Sequence, residues 1–147
     1  MASPRRPIDF VLLAVIVGLT LATGYIHFWV GGIMLTLNAA GYATLALAVV
    51  ATALLVRRLL PLVLIALAGY AAVTIVGWLI MGPYFDVAYL AKAIEIALIV
   101  TIGLTLWRMA EETQAAVVWA LLLPAALLAG RDRTSQRTPT KPTPAEK

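Results

Sequence analysis

Four long apolar runs, separated by short breaks of glycine, proline or charge, lay out the whole chain. The runs cover about 8–30, 33–56, 61–81 and 87–107. Each has the ~20 residues that an α-helix needs to cross a ~30 Å hydrocarbon core. Gly31-Gly32 splits the first run from the second and must turn the chain in very few residues, which glycine's freedom at positive φ permits. Arg57-Arg58 closes the second run. Pro61 falls in the first turn of the third, where its missing N–H costs little. Gly82-Pro83 ends that helix, and Tyr84-Phe85-Asp86 leads into the fourth with Asp86 as the expected N-cap. Arg108 closes the fourth run. Connections this short force neighbouring helices to be antiparallel, so the pattern predicts an all-α, up-down four-helix bundle. Small residues at four-residue spacing, Ala40-Thr44-Ala48 and Gly69-Val73-Gly77, are expected to let helix backbones approach closely.

The ends of the chain follow different rules. Met1 to Pro7 is short and basic. The first apolar run exceeds the ~7–15 residues of a signal-peptide core and lacks a small-x-small cleavage site, so it reads as a retained helix. Ala115 to Ala129 is uniformly apolar or small, but its length falls below a comfortable span and Pro124 interrupts it. Residues 111–130 therefore read as an interfacial or re-entrant helix, with a fifth crossing as the alternative. The polar, proline-rich stretch 131–147 has no apolar periodicity and predicts a disordered tail.

Composition makes lipid the solvent. Of 147 residues, 63% are hydrophobic and 12% charged, and a soluble domain of this size would expose too much apolar surface. The absence of cysteine excludes disulfides and thiol chemistry. One histidine argues against a multi-ligand metal site, and no cofactor is expected. Arg5, Arg6, Arg57, Arg58 and Arg108 border apolar runs, which is a topology signal and not a nucleic-acid-binding face. Positive flanks stay in the cytoplasm, so both termini are expected on that side of the cell membrane.

Candidate chemistry sits within the spans. Lys92 and Glu95 are the only charges well inside any run, and a charge near the bilayer centre costs on the order of 2.5–3.5 kcal/mol. Their i, i+3 spacing makes them natural partners. Lys92 is also long enough to snorkel outward, whereas Glu95 must be paired, protonated or hydrated. His27 lies about one turn from the end of the first span, on a face shared with Thr20 and Gly24. Asn38 and Tyr42 share a face of the second. With the helices antiparallel, His27, Asn38, Tyr42, Lys92 and Glu95 form an expected polar cluster in the outer half of the bundle. Tyr25, Trp78, Tyr84 and Tyr89 are expected around it as an interfacial aromatic belt.

Two stretches, YIHFWVGGIMLTLNAAGY and YLAKAIEIALIV, resemble a family of small uncharacterised membrane proteins of bacteria, notably actinobacteria. His27, Gly31-Gly32, Leu37-Asn38-Ala39 and Lys92-Ala93-Ile94-Glu95 carry the likeness, which covers most of the four helices but not the tail. It implies a four-helix integral membrane protein and brings no activity with it.

No nucleophile–base arrangement, phosphate-binding loop or metal-ligand cluster is visible, so no catalytic residue is assigned. The leading expectation is a non-enzymatic accessory or interaction subunit whose partners are the bilayer and either further copies or a larger membrane complex. One alternative is passage of protons or a small solute, with Glu95 titrating among His27, Lys92 and Tyr42. Against it, the inner half offers only hydroxyls such as Thr44, Thr52, Thr101 and Thr105. Another alternative is a redox-complex anchor binding haem, chlorin or quinone near His27. Bis-His haem would then require a second chain.

Overall fold

The computed structural model describes residues 7–82 and 84–110, together with 114, 117 and 118. The expected interfacial helix at 111–130, apart from those three positions, and the expected disordered tail lie outside the described residues. The chain divides into two compact units, Met1–Ala116 and Val117–Lys147, and everything that follows concerns the first.

Among the described residues of that unit, four long helices run in order: α1 Pro7–Val30, α2 Ile33–Leu55, α3 Leu60–Met81 and α4 Asp86–Arg108. A short 3-10 turn, Arg57–Leu59, joins α2 to α3. All four are long and apolar enough to cross a membrane. The protein is an all-α membrane protein, and no strand occurs among the described residues. α1 packs on α2 and α4, and α3 on the same two, so the helices form a ring. One end of the bundle carries the Gly31-Gly32 turn and the 82–85 connection; it is called the glycine end here. Arg57, Arg58 and Arg108 mark the opposite, arginine end.

Local chemistry accounts for the connections. Gly31 and Gly32 adopt φ of 81° and 88°, a region that side chains disfavour, and so reverse the chain between two directly packed helices. Pro61 sits in the first turn of α3, where an orphan N–H is not missed. Gly82 is extended, and its N–H donates to the Trp78 carbonyl at 2.7 Å, closing α3. The expected Asp86 N-cap is corrected. Phe85 occupies that position without a side-chain cap bond, and Asp86 is the first helical residue. Its carboxylate still lies in the first turn, where the helix dipole favours negative charge.

The arginine half of the core is aliphatic except for Thr105, which is 3% exposed and donates to the Thr101 carbonyl of its own helix. Ile16, Val49, Leu64, Leu67 and Leu98 are fully buried and Ile102 is 1% exposed. The outer surface is equally apolar: Ile33, Met34, Leu55, Ile80 and Trp107 are each more than 70% exposed. Such an exterior suits hydrocarbon and would not survive in water.

The two small-residue stripes lie largely on the outer surface of the bundle, with only Ala48 and Gly77 half-buried. Ala40, Thr44, Gly69 and Val73 face outward. Close approach is provided by other glycines, because the buried polar groups decide which helix faces point inward. A Cβ on Gly24 would stand 3.3 Å from Tyr42 Cβ and 3.6 Å from the Ala39 carbonyl, so glycine lets α1 and α2 approach a few tenths of an ångström closer than a side chain would. Gly41 receives the hydroxyl end of Tyr70, and a methyl group at that position would overlap it. Gly41→Ala is therefore expected to destabilise the bundle by about 1–3 kcal/mol. Adding Tyr70→Phe removes the nearer of the two overlapping atoms, leaving the ring carbon behind it at 2.7 Å, and should recover part of the loss in a micellar denaturation assay.

Candidate functional site: an ion pair sealed inside the bundle

All four helices contribute polar groups to one layer. Glu95 and Tyr42 each lie nine residues from the glycine end of their helix, and Thr23 and Thr74 seven. At ~1.5 Å per residue this places them about 10–14 Å deep along the axis. Glu95, Tyr42 and Thr23 have no exposed surface, His27 is 5% exposed and Lys92 7%.

Glu95 is the hub. Its Oε2 accepts from Lys92 Nζ at 2.7 Å. Its Oε1 accepts from Tyr42 Oη at 3.0 Å and from Thr23 Oγ1 at 3.3 Å, with His27 Nε2 3.7 Å away. Lys92 Nζ also donates to the Thr74 carbonyl at 3.3 Å. The Tyr42 hydroxyl stands 2.9 Å from Thr74 Oγ1, which donates to the Ala71 carbonyl at 2.8 Å. One carboxylate thereby ties α4 to α1 and, across the diagonal, to α2, while its cation ties α4 to α3.

The arrangement follows from what burial costs. Taking an isolated carboxylate or ammonium out of water costs several kcal/mol even after relaxation, and mutual attraction offsets this only with good geometry and further hydrogen bonds. Glu95 has both. Lys92 departs from the snorkelling expectation: its ammonium turns inward, because the carboxylate and a helix carbonyl together replace its hydration.

His27 has a defined tautomer. Its Nδ1 lies 2.8 Å from the Thr23 carbonyl, which can only accept, so Nδ1 carries the hydrogen. In the neutral ring Nε2 then presents a lone pair toward Glu95 Oε1 and holds no hydrogen bond with it. The imidazole packs against the Tyr42 ring at a centroid distance of 5.6 Å.

Asn38 is not brought to Glu95. Its Oδ1 accepts from Tyr70 Oη at 3.1 Å, and its carbonyl is 3.3 Å from the same hydroxyl, forming a separate tie between α2 and α3. The two networks meet only where the Tyr42 and Tyr70 rings pack edge to face at 4.9 Å. Thr20 is buried but bonds to its own helix, at the Ile16 carbonyl, and joins neither network. Of the expected belt, Trp78 packs on Tyr84 and Tyr89 at 5.3 and 5.2 Å, while Tyr25 stands apart, 67% exposed.

Thr23, Tyr70 and Thr74 are the members that sequence reasoning missed. Thr23 was within reach, since it lies four residues before His27 on the same helical face. The α3 pair gave little signal, because that helix bears no charge and a lone Thr or Tyr in an apolar run looks like packing. No group of three His, Cys, Asp or Glu among the described residues could hold a metal ion. Comparison of the chain with protein-family models, with curated proteins and with solved structures finds no match. Geometry therefore carries the functional reading.

Proposed function

We propose that this chain is a non-enzymatic subunit of the bacterial cell membrane, an accessory or interaction bundle whose buried polar layer fixes the helix arrangement. The supporting observation is that Glu95 and Lys92 spend their bonds on the protein's own helices. Toward the arginine end, Ile16, Val49, Leu64, Leu67, Leu98 and Ile102 close the core at 12–17 residues from the glycine end. Permeation would need polar groups or water on both sides of Glu95, and that plug is aliphatic. The outward stripes around Ala40-Thr44 and Gly69-Val73 leave surfaces on which partner helices can pack closely in lipid. A cytoplasmic arginine end is the orientation we propose, supported by Arg57, Arg58 and Arg108 and the positive-inside tendency. The redox-anchor alternative is less favoured: one nitrogen of His27 is committed to Thr23 and the other faces Glu95 from a buried position.

Flux measurements test the reading directly. Proteoliposomes holding the protein and an internal pH dye should acidify no faster than empty vesicles under an imposed potential, and Glu95→Gln should change nothing. Acidification that requires Glu95 would replace this proposal with the proton-permeation alternative.

A further inference from the structure

A second feature lies at the opposite end from the polar layer. Between α1 and α2, next to the start of α3, an open cleft of about 440 Å³ runs toward the arginine end. Its size is in the range of small-molecule sites, ~300–1,000 Å³. Val17, Gly18 and Val50 line the wall, Phe10 and Leu54 the outer lip, and Arg57 belongs to the lining. Gly18 helps keep the cleft open: a Cβ built there meets nothing within 4 Å. Phe10 is 51% and Leu54 67% exposed, so the cleft opens sideways into hydrocarbon.

We propose that this cleft binds one acyl chain of an anionic phospholipid, with the phosphate held by Arg57. Three features select that occupant. The walls are aliphatic and aromatic, which suits hydrocarbon and offers nothing to a polar solute. The single charged residue of the lining is a guanidinium, whose five N–H donors can serve a phosphate beside any acceptor within the protein. The depth also agrees. α2 runs 23 residues from Ile33 to Leu55, about 34 Å at ~1.5 Å per residue, so Arg57 just beyond it stands at headgroup level when Ile33 is at the other interface. Arg57 is half-buried against the cleft, whereas its neighbour Arg58 is exposed, so the two arginines are not equivalent. A second copy's helix, ~10–12 Å across, is too wide to enter between two helices in direct contact, but one hydrocarbon chain is not.

Native mass spectrometry of the full-length, delipidated protein tests this with phosphatidylglycerol and phosphatidylcholine of identical chains, and with inorganic phosphate as a control. The expected result is a one-lipid adduct about five-fold more abundant with phosphatidylglycerol, the contrast one arginine provides. Arg57→Gln should abolish that preference and Arg58→Gln should leave it. Gly18→Leu, which fills the cleft, should remove the adduct for both lipids; Val50→Phe fills it from the other wall should the first variant fold poorly. Equal adducts for both lipids, or an adduct indifferent to Arg57 and to cleft filling, overturns the proposal. So does binding of inorganic phosphate alone at comparable strength, or a dimer lost on cleft filling, which would assign the cleft to a second copy.

Discussion

Glu95→Ala lowers the stability of the bundle by about 3–5 kcal/mol, read as an earlier midpoint in a detergent-denaturation titration. The loss of one carboxylate is not the whole effect. Lys92, 7% exposed and 2.7 Å from Glu95, is left as an uncompensated cation within the bundle. Tyr42 and Thr23 lose the acceptor they share, and each stranded donor adds on the order of 1–3 kcal/mol unless it finds another partner. Glu95→Gln keeps an acceptor oxygen but not the charge, so its midpoint should fall between wild type and alanine. The decisive comparison is the double variant Lys92→Leu, Glu95→Leu. Replacing both ions by apolar groups of similar volume is often neutral or stabilising, because neither desolvation cost remains. The double variant should therefore be more stable than Glu95→Ala. If it is equally damaged, the ion pair is not what makes Glu95 matter.

Tyr42 gives the second large effect, and two variants separate its contributions. Tyr42→Ala is expected to cost about 3–5 kcal/mol, as for other fully buried aromatic residues. The ring is 0% exposed and packs on both His27 and Tyr70, so truncation opens a void at the crossing of the two networks. Tyr42→Phe keeps that packing and removes one donor to the Glu95 carboxylate, for a smaller loss of about 1.5–3 kcal/mol. A phenylalanine variant as unstable as the alanine variant would show that the hydroxyl, not the ring, holds α2 to α4. Thermal melting of both proteins in one detergent, monitored by circular dichroism, makes the comparison.

These effects follow from an unusual division of labour. In a water-soluble bundle the apolar core drives assembly. In lipid, the outer surface is as apolar as the interior, and burial of hydrocarbon no longer distinguishes inside from outside. Specific polar contacts and close packing at glycine then settle which faces meet. Glu95 performs the first task, and Gly24 with Gly41 the second.

The same contrast separates what could be read from the chain and what could not. Fold class and the four long apolar helices were legible because they depend on run length and on where charge, glycine and proline fall. Gly31-Gly32 could be assigned a turn, and Lys92 and Glu95 a pairing, because each rests on local geometry or on i, i+3 spacing. Helix rotation was legible only where a polar residue marks a face, as His27 does on α1 and Tyr42 on α2; α3 bears no charge, so little in its sequence says which face is inward. That is why Asn38 was grouped with Glu95 although Tyr70 holds it apart. Only the tertiary structure decided these points. By turning Thr23 and Tyr42 toward one buried carboxylate and the Thr74 carbonyl toward its cation, it fixed faces that the hydrophobic pattern left equivalent.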